Sequence, residues 1–108
     1  MSLNTQITSF DRPWFAVNTN KTHFENELLR ELPFDHQLYG LKVSAIAFRK
    51  DMDEVLYEIL REKKEYAIVH LTYKIETNAN FPGTVIYKNW EDVCEQLLQD
   101  KKQWDDDD

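Results

Sequence analysis

Apolar and polar residues change period several times along this chain, and each change marks an element. Between residues 20 and 32, Phe24, Leu28, Leu29 and Leu32 recur at three- and four-residue spacing, the period of one helical face. Thr22 followed by Glu25 has the form of a capping box at the start of that helix. Pro33 drives the residue before it out of helical geometry, so the helix ends at Leu32 and residues 33–40 form a loop. Gly40 suits a turn that a side chain would strain. Residues 14–17 (Trp-Phe-Ala-Val) are too few to show a period and fit an edge strand or a plug over one end of the core, with Pro13 allowing a strand to start there.

Residues 41–73 then carry three strand-like runs separated by short polar breaks. In residues 41–50, Val43, Ala45 and Ala47 alternate with Ile46 and Phe48, which predicts a central strand that is apolar on both faces. An acidic turn, Asp51, Met52, Asp53 and Glu54, leads into a second run in which Val55, Tyr57 and Ile59 alternate with Leu56, Glu58 and Leu60. Glu, Leu, Arg and Lys also favour helix here, but alternation over a short run flanked by charged turns is the hairpin pattern. The hairpin loop is residues 61–65, and residues 66–73 are the clearest strand, rich in β-branched and aromatic side chains. Tyr66, Ile68, His70 and Thr72 face one way. Ala67, Val69, Leu71 and Tyr73 face the other and read as the core side, which leaves His70 on the less buried face.

Residues 74–83 form a polar loop, the natural place for a binding surface, and precede a brief strand at residues 84–87. Asn89 caps a last helix with Glu91 and Asp92 in its first turn, where carboxylates complement the positive end of the dipole. Its buried face is Trp90, Val93, Cys94, Leu97 and Leu98, and Lys101 and Lys102 suit its negative pole. The predicted architecture is α+β: an antiparallel three- to four-stranded meander sheet with an N-terminal and a C-terminal helix packed on one face. Residues 1–12 are expected to be a flexible lead-in, residues 13–104 a single domain, and residues 105–108 a disordered acidic tail.

Composition adds limits rather than chemistry. A chain of 108 residues has room for one core, and 42% apolar content with 13% aromatic residues suffices to fill it. Cys94 is the lone cysteine, so no internal disulfide forms, and no apolar run of signal-peptide length follows Met1; a cytoplasmic setting is expected. The longest apolar runs fall far short of the ~20 residues that span a membrane. Four of the formal charges behind the net −7 sit in the terminal aspartate run, leaving a body at −3, without the clustered Lys and Arg that a phosphate backbone requires. The expected partner is therefore a protein, with neither nucleic acid nor membrane involved, and with a homodimer admitted.

No zinc spacing, phosphate loop or nucleophile motif appears, and no cofactor is predicted. His23, His36 and His70 are scattered over a helix start, a loop and a strand; only His70 is a catalytic candidate, whereas His36 beside Asp35 reads as a solvated loop pair. Asp51, Asp53 and Glu54 are candidate cation ligands, but Leu56 stands at the sixth position of that loop, where a calcium loop needs glycine. Cys94 on the apolar stripe reads as a small core residue. Phe81 and Trp104, flanked by polar residues, are the candidate partner-binding aromatics.

The run Leu38-Tyr39-Gly40, the acidic turn Asp53-Glu54 leading into Val55-Leu56-Tyr57, and Val69-His70-Leu71-Thr72-Tyr73 together resemble a group of short, uncharacterised bacterial proteins with the same order of motifs. The resemblance covers the middle and C-terminal two thirds; in that group tryptophan often stands where Tyr73 is, and a shorter turn replaces residues 61–65. It implies a hairpin over residues 55–73 and a bacterial, cytoplasmic setting, and it transfers no activity. The functional reading is a small non-enzymatic binding, accessory or regulatory module. The alternatives are a small enzyme or ligand-binding protein built around His70, Thr72 and an acid of the 51–54 turn, and an acidic inhibitor that mimics nucleic acid.

Overall fold

The structure, a computed structural model, describes residues 10–106. Its elements run β1 (Phe15–Ala16), α1 (Lys21–Glu31), β2 (Val43–Arg49), β3 (Glu54–Ile59), β4 (Glu65–His70), β5 (Gly83–Tyr87) and α2 (Trp90–Asp106). The fold is α+β, with one antiparallel five-stranded sheet whose strands lie in chain order. The expected meander is present with one strand more than predicted, because residues 14–17 supply a short edge strand: Phe15 pairs with Phe48 and Ala16 with Ala47.

The two helices do not share a face, contrary to the sequence expectation. Val55, Tyr57, Ile59, Ala67 and Val69 pack against Phe24 and Leu28 of α1 and Leu32 just past its end, while Leu56, Ile68 and Ala47 pack against Val93, Trp90 and Leu97 of α2. Both faces of β3 are thus covered, which is why Val55, Leu56, Tyr57 and Ile59 are all at most 1% exposed. A sheet buried on both sides needs a cover on both sides, and each helix has one apolar stripe to offer.

A bulge in β2 also departs from strict alternation. The register jumps from Ala45 opposite Tyr57 to Ala47 opposite Leu56, so Ala45 and Phe48 meet the α1 layer while Ile46 and Ala47 meet the α2 layer. The Ile46 carbonyl accepts from the Val17 amide at 2.9 Å.

Local chemistry accounts for the other boundaries. The Thr22–Glu25 capping box does not form. Asn20 holds the N-cap position without a side-chain bond, Thr22 lies inside α1, and Glu25 instead accepts from the Ala45 amide at 2.9 Å and pairs with Lys21 at 2.6 Å. Leu32 turns to extended geometry (ψ 118°) ahead of Pro33, as expected. Strand β4 ends at His70, earlier than predicted, because Glu31 draws the next backbone away: its carboxylate accepts from the Thr72 and Tyr73 amides, both at 2.8 Å. Tyr73 there adopts a left-handed φ of 58°.

His36 also departs from the expectation, since it is 5% exposed rather than solvated. Its Nδ1 accepts from the Leu38 amide at 3.0 Å, and its Nε2 lies 2.9 Å from the Pro82 carbonyl, which identifies the neutral tautomer that donates from Nε2 and ties the 33–40 loop to the start of β5. At α2, Asn89 Oδ1 accepts from the Asp92 amide at 2.8 Å as the cap. Leu98, expected in the buried face, is 65% exposed, and Cys94 is half-buried. The helix extends through Asp105, which pairs with Lys101 at 2.9 Å, to Asp106. The rest of the expected tail and residues 1–9 of the expected lead-in lie outside the described residues.

Candidate functional site

The α2 face of the sheet is built in register rows, and they differ in chemistry. Ala47, Leu56 and Ile68 form one apolar row that ends on Val85 of β5. The neighbouring row is Arg49, Glu54, His70 and Gly83, one residue from each of β2 to β5. Helix α2 buries the first row except for Val85, which is 55% exposed. The second row lies beside the C-terminal half of the helix, and between them runs a groove of about 660 Å³.

The helix contributes Gln96, Asp100, Gln103 and Trp104 to the groove wall. These positions recur at the spacing of one helical stripe, adjacent to the apolar stripe Trp90, Val93 and Leu97. The floor includes Glu54 and His70, and the rim is formed by Asp51 and by Gly83, Thr84, Val85 and Tyr87 of β5. Gly83 leaves its end of the row open: a Cβ there would meet nothing nearer than His70 Cβ at 4.0 Å.

One end of the groove is fixed by a charge network. Arg49 places Nε and Nη2 each 3.0 Å from the two oxygens of Asp51, a bidentate fork, and its Nη1 lies 3.6 Å from Asp100. Asp100 is 8% exposed and accepts from Trp14 Nε1 and Gln96 Nε2, both at 2.9 Å. The indole thereby anchors the residues before β1 to α2 and holds the Asp100 carboxylate toward the sheet. The fork with Arg49 lowers the Asp51 pKa. Burial raises that of Glu54, with the Asp100 and Asp51 carboxylates adding to it against the opposing pull of Arg49 and His70. Burial, then the same acids Asp100 and Glu54, also raises the Tyr87 phenol.

Three carboxylates therefore face one guanidinium, which Asp51 and Asp100 already engage. Glu54 has no hydrogen-bond or ion-pair partner among the described residues. The groove is consequently acidic on balance, with an aromatic wall in Trp104, which is 39% exposed. Such a surface suits a cationic group, held by carboxylates and stacked on an indole face.

The structure brings together His70, Asp51, Glu54 and Trp104, four residues singled out in the sequence. It does not bring Asp53 or Phe81 to them. Asp53 takes a left-handed φ of 53° and its carbonyl accepts from the Leu71 amide at 2.9 Å, so the acidic turn splits, with Asp51 and Glu54 lining the groove and Asp53 outside it. Phe81 is 48% exposed on the loop before β5, outside the groove. Among the described residues no group of three His, Cys, Asp or Glu side chains is placed to hold a metal ion, and no helix is long and apolar enough to cross a membrane. Arg49, Gln96, Asp100 and Tyr87 were missed in the sequence. The polar stripe of α2 at positions 96, 100, 103 and 104 was the signal that could have found the helical part.

No protein-family model, no curated protein and no solved structure matches this chain.

Proposed function

We propose that this protein is a small binding module, accessory or regulatory in role, that receives a protein partner in the groove between the C-terminal half of α2 and the row Arg49, Glu54, His70 and Gly83. The observation that carries this reading is that row itself. Polar side chains from three adjacent strands line one groove beside an exposed tryptophan, and the helix that covers the neighbouring row reaches Arg49 through Asp100 but leaves His70 exposed. Its test is the affinity of a partner isolated with the wild-type chain. His70→Ala and Trp104→Ala are expected to weaken that partner about tenfold each, the usual scale for central contact residues. Unchanged affinity in both variants contradicts the reading.

A second reading, a small enzyme or ligand-binding protein, draws on one specific relationship: His70 lies directly opposite Glu54 in the same groove. A carboxyl raised by burial beside an imidazole is a general acid–base arrangement. Turnover or saturable binding of a small molecule that is lost in both His70→Ala and Glu54→Gln would favour this reading over the first. Nucleic-acid mimicry gains less support, because Glu25, Glu27, Glu58 and Glu65 are paired with Lys21, Arg30, Lys64 and Arg61 and do not form an uncompensated acidic face.

A further inference from the structure

Strand β5 is the last strand of the sheet, and among the described residues its outer edge is open. The strand order ends on it, and among the described residues no backbone hydrogen bond reaches residues 83–87 from outside the sheet. The opposite edge, β1, has two residues and offers little to pair with. An unpaired edge presents alternate N–H and C=O groups outward, ready to accept another strand. Four of the five residues of β5, namely Gly83, Thr84, Val85 and Tyr87, also line the acidic groove. The edge and the groove are therefore one continuous surface.

We infer that the partner segment is an extended, arginine-bearing peptide that adds a sixth strand to β5 and directs an arginine across Gly83 into the groove. This deepens the proposed groove-binding role and rests on it. A strand added to β5 extends each register row by one residue, so one side chain of the guest continues the row Arg49, Glu54, His70 and Gly83. His70 lies two interstrand steps from that position, about 10 Å. Because the intervening position is glycine, a long side chain can lie over β5 toward His70, with the Glu54 and Asp100 carboxylates beyond it. Charge selects the occupant. Asp51, Glu54 and Asp100 outnumber Arg49, whose guanidinium is already shared by two of them. An acidic guest, or a second copy of this chain with its net charge of −7, meets repulsion there. Arginine suits the site better than lysine because its fork takes a carboxylate through two parallel hydrogen bonds. Strand addition supplies affinity through the main chain and specificity through alternate side chains.

The test is a titration of the isotope-labelled full chain with a short capped peptide alternating Arg and Val, and with the same peptide carrying Glu in place of Arg. Expected is saturable binding of the Arg peptide with slowed hydrogen exchange at alternate amides of residues 83–87, no binding of the Glu peptide, and about tenfold weaker binding by Glu54→Gln. Glu54 is a carboxylate of the groove floor whose neutral isostere preserves its shape, and unchanged exchange of the β3 amides in that variant verifies that the fold is kept. Binding of the Arg peptide without protection of β5 overturns strand addition and leaves the groove reading standing. Absence of binding, equal binding of the Glu peptide, or a concentration-dependent dimer that protects the same amides overturns the inference.

Discussion

Glu54 and His70 stand opposite one another on β3 and β4, in the row that α2 leaves uncovered. The pair joins a half-buried acid to an exposed imidazole at the floor of the groove, and Arg49 continues the row on the other side of Glu54.

The raised Glu54 pKa makes the first prediction a pH effect. A group that binds its proton more tightly folded than unfolded contributes stability below its unfolded pKa and loses it as pH rises through the folded value. Glu54→Gln should therefore be as stable as the wild type near pH 4 and more stable than it near pH 8. Denaturant unfolding at the two pH values measures this, and a constant difference between variant and wild type would count against it.

Glu31 gives a larger effect of the same sign. It is fully buried on α1, and burial followed by the neighbouring Glu27 pushes its pKa from 4.5 up to about 7, against the Thr72 and Tyr73 amides and the Thr72 hydroxyl that pull it down. Tyr57 faces it from β3, and Arg30 lies beside Glu27 at 2.9 Å. At Glu27 burial pushes upward, but the hydrogen bonds to Glu31 and Arg30 outweigh it, so its pKa is lowered. Stability should fall as pH rises from 4.5 through about 7, by on the order of 2 kcal/mol, and fall again in strong acid as Glu27 protonates. Glu31→Gln loses an acceptor for one backbone amide, which costs on the order of 1 kcal/mol at pH 5. Its deficit should shrink toward pH 8, since glutamine does not titrate. Parallel pH profiles for the two proteins would rule this assignment out.

The Trp14–Asp100 bond should behave as a coupled pair. Trp14→Phe removes the indole N–H that donates to the buried carboxylate, and Asp100→Ala removes the carboxylate that accepts it. A double-mutant cycle should give a coupling energy of about 1–2 kcal/mol. A coupling indistinguishable from zero would mean that the bond does not anchor α2.

His36→Leu should loosen the start of β5 by leaving the Leu38 amide without its acceptor and the Pro82 carbonyl with only the Thr84 hydroxyl, at a cost of about 1–3 kcal/mol. Hydrogen exchange should speed up around residues 38 and 83–84 and stay unchanged in α2. Uniform acceleration across the chain would instead mark a global loss of stability.

Much of the scaffold was legible because β3, β4 and α2 have strong local periods and α2 has a working Asn89 cap. Where local pattern and tertiary demand differ, the reading fails for identifiable reasons. One inserted residue at the Ala45/Ala47 irregularity reassigns side chains in β2, and alternation alone cannot report it. Burial of Leu56 beside Val55 and Tyr57 was the hint that both sheet faces needed a helix. At the site, His70, Asp51, Glu54 and Trp104 stood out as residues, but their convergence depends on the strand register. Asp100 was hidden as one acid in a charged helix, and His36 was misplaced because a loop histidine beside an aspartate resembles a solvated pair until the Pro82 carbonyl is brought to it.

Under the proposed function, the row beside α2 is where the partner binds. The most direct measurement of this is site-specific photocrosslinking in the native cell, with the crosslinking side chain placed at position 104 or 85 in the groove, or at 34, where Phe34 is 82% exposed away from it. Positions 104 and 85 should give one discrete crosslinked protein and position 34 none, with the product lost in Glu54→Gln. A product from position 34 alone, or no product at all from the groove positions, would contradict it.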